Sequence, residues 1–212
     1  MYRSSTTLHL YGASVPFPIA SDSPRRQLIA DAGVRIIASQ GLRALTHRAV
    51  DGAAGIAEGG TSYYARTRHA LLELIVEELA ARSIADAENG VRTLRDQFPG
   101  GSSLDVEVLA HAISELMDSL WARSDDMRAR YALLLELDPL DPIRERLAQR
   151  SDVRQAMFDE TCSILQRAEI RNAPVRAIEL LALADALLMR RAVTQTDASD
   201  APILEGYLRG IA

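Results

Sequence analysis

At 212 residues and 48% hydrophobic content, the chain can form one large domain or two small ones, and it is too apolar to be intrinsically disordered. Aromatic residues make up only 5%, and the abundance of Ala and Leu favours helix over strand. The net charge of −5 counts against nucleic acid only as a total: residues 1–68 hold eight Arg against four acids, whereas 69–212 hold sixteen Arg against twenty-five.

A basic head of +4 therefore precedes an acidic body of −9. Local positive potential attracts phosphate, while the acidic remainder suppresses indiscriminate sticking. The lone Cys162 cannot form an internal disulfide. The chain opens on no signal-like segment and has no long charge-free apolar run, so a cytoplasmic protein without a membrane partner is expected.

Residues 1–22 lack periodicity and are expected to form a flexible arm in which Arg3 is the only base. Ser23 reads as an N-cap and Pro24 as the first helical residue of a helix reaching about Gln40. Leu28, Ile29, Ala32, Ile36 and Ile37 form its apolar face, and Gly41 stops it. A short helix follows from about His47 to Ala54, capped by Thr46. Next come the Gly55-Ile56 turn and a second short helix from Glu58 to Tyr64. Thr67 caps a fourth helix running toward Asn89-Gly90.

After Pro99–Gly101, amphipathic helices are expected over about 104–122, 125–137 and 142–170. Between Ala177 and Met189 only Glu179 and Asp185 interrupt the apolar residues. That segment should be buried on two sides, one of them against a partner. A last amphipathic helix spans about 203–211. The expected architecture is all-α, about nine helices, with no strand.

The stretch from Leu45 to Tyr64 carries the functional signal. Two short helices around a glycine turn, with small residues Ala53, Ala54 and Gly55 where they meet, suit a helix-turn-helix whose second helix enters the major groove. Here the chain resembles the tetracycline-repressor (TetR) family over about Arg25 to Leu72. Thr46-His47-Arg48, Ala54-Gly55-Ile56, Gly59 through Tyr63-Tyr64, and Thr67-Arg68-His69-Ala70-Leu71 all fall at the family's spacing. Two positions depart: Ala65 stands where Phe is usual, and Ala57 where a Ser caps the recognition helix, a cap contributing roughly 1 kcal/mol.

The resemblance implies a three-helix DNA-binding head over 23–70, continuing into the fourth helix to about residue 89, and a ligand-binding and dimerisation body over 71–212. DNA-binding residues carried over are Thr46, His47, Arg48, Gly59, Gly60, Thr61, Ser62, Tyr63, Tyr64, Arg66 and Arg68. Among them Thr46, Tyr63, Tyr64 and Arg68 are assigned to phosphates, with Arg48 and Arg66 nearby, and Gly60, Thr61 and Ser62 to bases. The implied partners are a palindromic double-stranded operator, a second copy of the chain and a small-molecule effector that releases a repressor.

Leu181, Leu188, Ile203 and Tyr207 are the expected dimer contacts. His111, Met117, Trp121, Tyr131, Phe158 and Cys162, large or polarisable groups on otherwise aliphatic helices, are the candidate effector-pocket residues. No catalytic residue, metal site or cofactor is expected. Cys162 lacks a nucleophile's setting, and His111 with Glu115 is a single pair without further ligand spacing. A helical binding module that does not touch DNA is the alternative, ahead of an all-α enzyme.

Overall fold

Ten α-helices and one 3-10 turn make up the computed structural model, which describes residues 24–98, 105–148, 151–194 and 198–212. The expected arm at 1–22, the Ser23 cap and the Pro99–Gly101 break lie outside the described residues. The helices are α1 (Pro24–Gln40), α2 (His47–Ala54), α3 (Gly60–Tyr64), α4 (Arg68–Gln97), α5 (Val106–Trp121), α6 (Ser124–Glu136), α7 (Pro142–Ala148), α8 (Ser151–Arg167), α9 (Ala173–Thr194) and α10 (Ala201–Ile211). The 3-10 turn, Leu42–Ala44, joins α1 to α2. The chain is all-α, with no strand among the described residues.

Several boundaries differ from the sequence reading. Gly90 does not end α4, which continues to Gln97 because Leu94 extends its buried face. The glycine instead admits a neighbouring helix: a Cβ there would stand 3.0 Å from a methyl of Leu116 on α5. Within the helix expected over 142–170 the described residues form α7 and α8, on either side of residues 149–150, which gives ten described helices where nine were expected. At its far end α8 stops at Arg167. Glu169 adopts φ 59°, and the Ile170 amide donates to the Leu165 carbonyl at 3.0 Å, turning Ile170 into the core.

The buried apolar residues form two clusters. The first joins Ile29, Ile36 and Ile37 of α1, Val50 of α2 and Leu71, Leu72 and Ile75 of α4. Burial of each such side chain stabilises the fold by about 1.5–3 kcal/mol relative to exposure. At the α1–α4 crossing a Cβ on Gly33 would lie 2.2 Å from Ile75 Cδ1, so a larger residue there would displace the buried Ile75 side chain. The cluster does not stop at α4, because Ala129 and Leu133 of α6 and Ile143 and Leu147 of α7 belong to it. Helix α6 thus supports the underside of α1. Arg82 of α4 strengthens this junction, pairing with Asp31 of α1, with Glu78 at 3.1 Å and with Asp126 of α6 at 3.1 Å.

The second cluster holds the body together through Leu94, Leu109, Met117, Leu165, Leu180, Leu187, Leu204 and Leu208. In it α8 packs on α9 and α10 on α5. A buried ionic knot ties these layers. Arg191 of α9 is 1% exposed and donates to Asp118 of α5 at 2.6 Å and to Asp200, before α10, at 2.6 Å. Asp200 is itself fully buried and also accepts from Arg190.

Candidate nucleic-acid interface

The α2–α3 pair is fixed by polar contacts that its small residues make possible. Thr46 caps α2, its hydroxyl accepting from the Ala49 amide at 3.1 Å. Gly55 (φ 63°) and Gly59 (φ 87°) then turn the chain through left-handed backbone that a side chain would strain. The missing Ser at position 57 is replaced from outside the helix. Asp51 of α2 accepts from the Gly59 amide at 2.8 Å and the Thr61 amide at 2.7 Å, satisfying the free N–H groups at the start of α3.

Burial pushes the Asp51 carboxyl up, but the hydrogen bonds from Thr61 and Gly59 and the nearby His47 outweigh it and hold Asp51 below the ordinary carboxylate range. Because the folded value is depressed, this stabilisation is complete at neutral pH and is lost as pH falls through the folded value. Asp51→Ala leaves two amides unpaired and is expected to destabilise the protein by about 2 kcal/mol, with Asp51→Asn costing less. Thermal melts at pH 7 check this. At a pH below the folded value of Asp51, the difference between wild type and Asp51→Ala should shrink.

Several expected DNA contacts are engaged inside the head. Thr61 is 0% exposed, and its assignment to bases is corrected. The helix begins at Gly60 rather than Glu58, and Tyr63, 84% exposed, lies two residues on. Positions two apart on a helix point about 200° from each other, so both cannot face one groove. The His47 ring donates from Nε2 to the Ala65 carbonyl at 2.7 Å, clamping the end of α3 to the start of α2. Arg68 donates to the Leu42 carbonyl at 2.7 Å and the Leu45 carbonyl at 3.3 Å, bracing the 3-10 turn. Gly60 is half-buried against Ile56, and Tyr64 is half-buried with its ring edge-to-face on Tyr63, centroids 5.1 Å apart.

The outward face that remains presents Thr46, Arg48, Gly59, Ser62, Tyr63 and Arg66, and Arg68 also stays exposed while it braces the turn. Arg48 and Arg66 are exposed and form no salt bridge with a described residue. Arg43 shares these properties and was missed, because the Gly41–Leu45 connection read only as a helix stop.

A second concavity opens in the body. Helices α4 to α9 line a half-open cavity of about 760 Å³, within the roughly 300–1,000 Å³ usual for small-molecule sites. Leu109, Ile113, Leu116, Leu120 and Leu188 supply aliphatic wall, and Ser83, Arg130, Arg146, Arg154, Gln155, Thr161 and Asp185 supply its polar groups.

No family model matches the sequence, and neither does any curated protein. Solved structures do. A TetR-family member from Streptomyces coelicolor A3 aligns over 89% of this chain and 98% of its own at 21% identity, TM-score 0.60. A TetR-like transcriptional regulator from Rhodococcus sp. RHA1 aligns over 88% and 94% at 18% identity, TM-score 0.62. The multidrug binding protein EbrR, complexed with malachite green, aligns over 89% and 98% at 20% identity, TM-score 0.61. The chain has the TetR-type fold.

Within the TetR-type body, the six candidate pocket residues separate. Met117 and Phe158 are in the cavity wall. His111 is not: it lies in solvent, 3.4 Å from Glu115. Trp121 sits outside the wall with the Arg128 guanidinium 5.7 Å from its ring centre. Cys162 packs half-buried against the second cluster. Tyr131 stands behind the wall, donating to the Asp185 carbonyl at 3.4 Å, and burial together with Asp185 pushes its hydroxyl up to about 12.

The four expected dimer contacts also separate. Leu188 is buried in the second cluster and is corrected to an interior position, while Leu181 is half-buried; both line the cavity. Tyr207 is half-buried and donates to Glu179 at 2.7 Å, joining α10 to α9. Ile203 is exposed. A different stripe of α9 reaches the surface through Val175, Ile178, Ala182, Ala186 and Val193, of which Ile178 and Ala182 also line the cavity, and Ile203, Gly206 and Gly210 of α10 are exposed as well. The periodicity pointed to α9; which of its apolar residues face outward depends on where α5 and α8 lie.

Among the described residues no helix is long and apolar enough to cross a membrane, and no group of three or more His, Cys, Asp or Glu is placed to hold a metal ion.

Proposed function

We propose that the protein is a cytoplasmic, homodimeric DNA-binding transcriptional regulator, a repressor released by a small-molecule effector. The observation that carries this reading is the outward face of α2–α3, where Ser62 and Tyr63 are exposed along with Arg43, Arg48 and Arg66, cations without carboxylate partners among the described residues, in an otherwise acidic chain. Arginines and tyrosine hydroxyls are phosphate partners, and Ser62 can reach a base edge. Base-reading groups are few, so affinity rests on phosphates and dimer geometry, and preference partly on DNA shape.

The partner is a second copy of the chain, packed through the exposed stripe of α9 and the Ile203–Gly206–Gly210 face of α10. Their mates would complete a four-helix bundle that places two heads about 34–36 Å apart on one side of the duplex. Effector occupancy reaches the head through α6, which carries Arg130 in the cavity wall, Leu133 beneath the head and Asp126 in the Arg82–Asp31 junction. Selection of bound genomic fragments with the purified protein tests the reading. It should recover inverted repeats with half-sites about 10 base pairs apart, centre to centre. Recovery of no enriched sequence would contradict it.

A further inference from the structure

Helix α9 is both a wall of the cavity and part of the outer surface, which sets the mouth of the cavity against the face assigned above to a second copy; the inference rests on the dimer and effector readings, not on DNA binding. The exposed residues of the lining are Arg146 of α7, Arg154 and Gln155 of α8, and Ile178, Ala182 and Asp185 of α9. They mark where the half-open cavity meets solvent. On α9 the spacing of four and then three residues puts all three on one stripe of the helix. All of α9 belongs to the described residues.

Ile178 lines the cavity and is yet 61% exposed. With Val175, Ala182, Ala186 and Val193 it makes an uncharged seam about 27 Å long at 1.5 Å per residue. In a chain with 25% charged residues, such a seam suits another helix better than water. A two-fold interface sets a surface against itself, and this seam tolerates its own copy: no like charges meet, and the central alanines admit a close approach. A partner helix lying along the seam covers Ile178 and Ala182, and with them the α9 side of the mouth.

We infer that the second copy closes the cavity mouth, so that the ligand site is complete only in the dimer and occupancy and dimerisation strengthen each other. In a single chain, an apolar ligand in the half-open cavity keeps one side in water. A tenfold gain in affinity needs only about 55 Å² of that side to be covered, at about 25 cal/mol per Å².

The probe is 1-decanol, a neutral aliphatic molecule matched to the Leu and Ile wall, with binding followed by calorimetry on the full chain and oligomeric state by sedimentation. Val175→Glu and Val193→Glu put a charge on the seam at positions outside the cavity lining. Each variant is expected to be folded and monomeric, and to bind decanol at least about tenfold more weakly than the wild-type dimer. Reciprocally, saturating decanol should lower the dissociation constant of the wild-type dimer about a hundredfold, tenfold for each of two sites. Ala184→Trp, which fills the cavity from α9, should abolish decanol binding.

A monomeric variant that binds decanol as tightly as wild type, a variant that stays dimeric, a dimer whose dissociation is indifferent to decanol, binding that survives Ala184→Trp, or no binding by wild type would each overturn the proposal. Where circular dichroism shows a variant unfolded, the effect of decanol on wild-type dissociation decides. A monomeric wild type contradicts the dimer reading and this inference with it. A dimer whose ligand binding is uncoupled contradicts this inference alone.

Discussion

The double variant Arg48→Glu/Arg66→Glu is expected to bind its selected DNA at least about a hundredfold more weakly than wild type, while remaining folded and dimeric. Both side chains are exposed and without salt bridges to described residues, so the folded chain loses little on reversal; surface changes of this kind usually stay within about 0.5 kcal/mol. A dimer presents each site twice, so two substitutions convert four attractive charges into four repulsive ones. Because phosphates are the same on every sequence, specific and non-specific binding should weaken together. Arg68→Glu makes a contrasting case. Arg68 braces the Leu42 and Leu45 carbonyls, so its reversal should lower the melting temperature as well as the affinity. Fluorescence anisotropy and thermal melts on the same preparations separate the two effects.

The largest expected change in stability belongs to Arg191. Replacement by Met removes a cation that is 1% exposed and leaves Asp200, fully buried, with only Arg190 as partner, while Asp118 loses its link to α9. Breaking one side of a buried pair costs about 3–5 kcal/mol, which for a chain of this size lowers the melting temperature by roughly 6–20 °C. Replacing Asp200 by Asn as well removes the orphaned charge, so the double variant should recover part of the loss, a coupling that a thermodynamic cycle measures. Additive losses would mean that the two groups do not depend on each other.

Local signals made the head legible in the sequence. Thr46 and Thr67 cap their helices, and Gly55 reverses the chain where composition places it. The register within α3 was not legible, because the cap that sets its first turn comes from Asp51, a residue of the preceding helix. This tertiary bond also makes Thr61 an interior residue and leaves Tyr63 outside.

In the body, periodicity located the helices but not their neighbours. Leu188 and Ile178 look alike in sequence, yet one is buried in the second cluster and the other is 61% exposed on the surface of α9. Arg130 and Arg191 sit on amphipathic helices where charge ordinarily marks the solvated face. Their interior roles follow from how separate helices converge, which no single segment encodes.

The central claim is that two copies of the α2–α3 head grip a duplex mainly through its phosphates. Its most direct test is the salt dependence of binding to a selected fragment. With about three phosphates neutralised per protomer and about six per dimer, log K against log salt should fall with a slope near −5. A slope indistinguishable from zero would contradict the account.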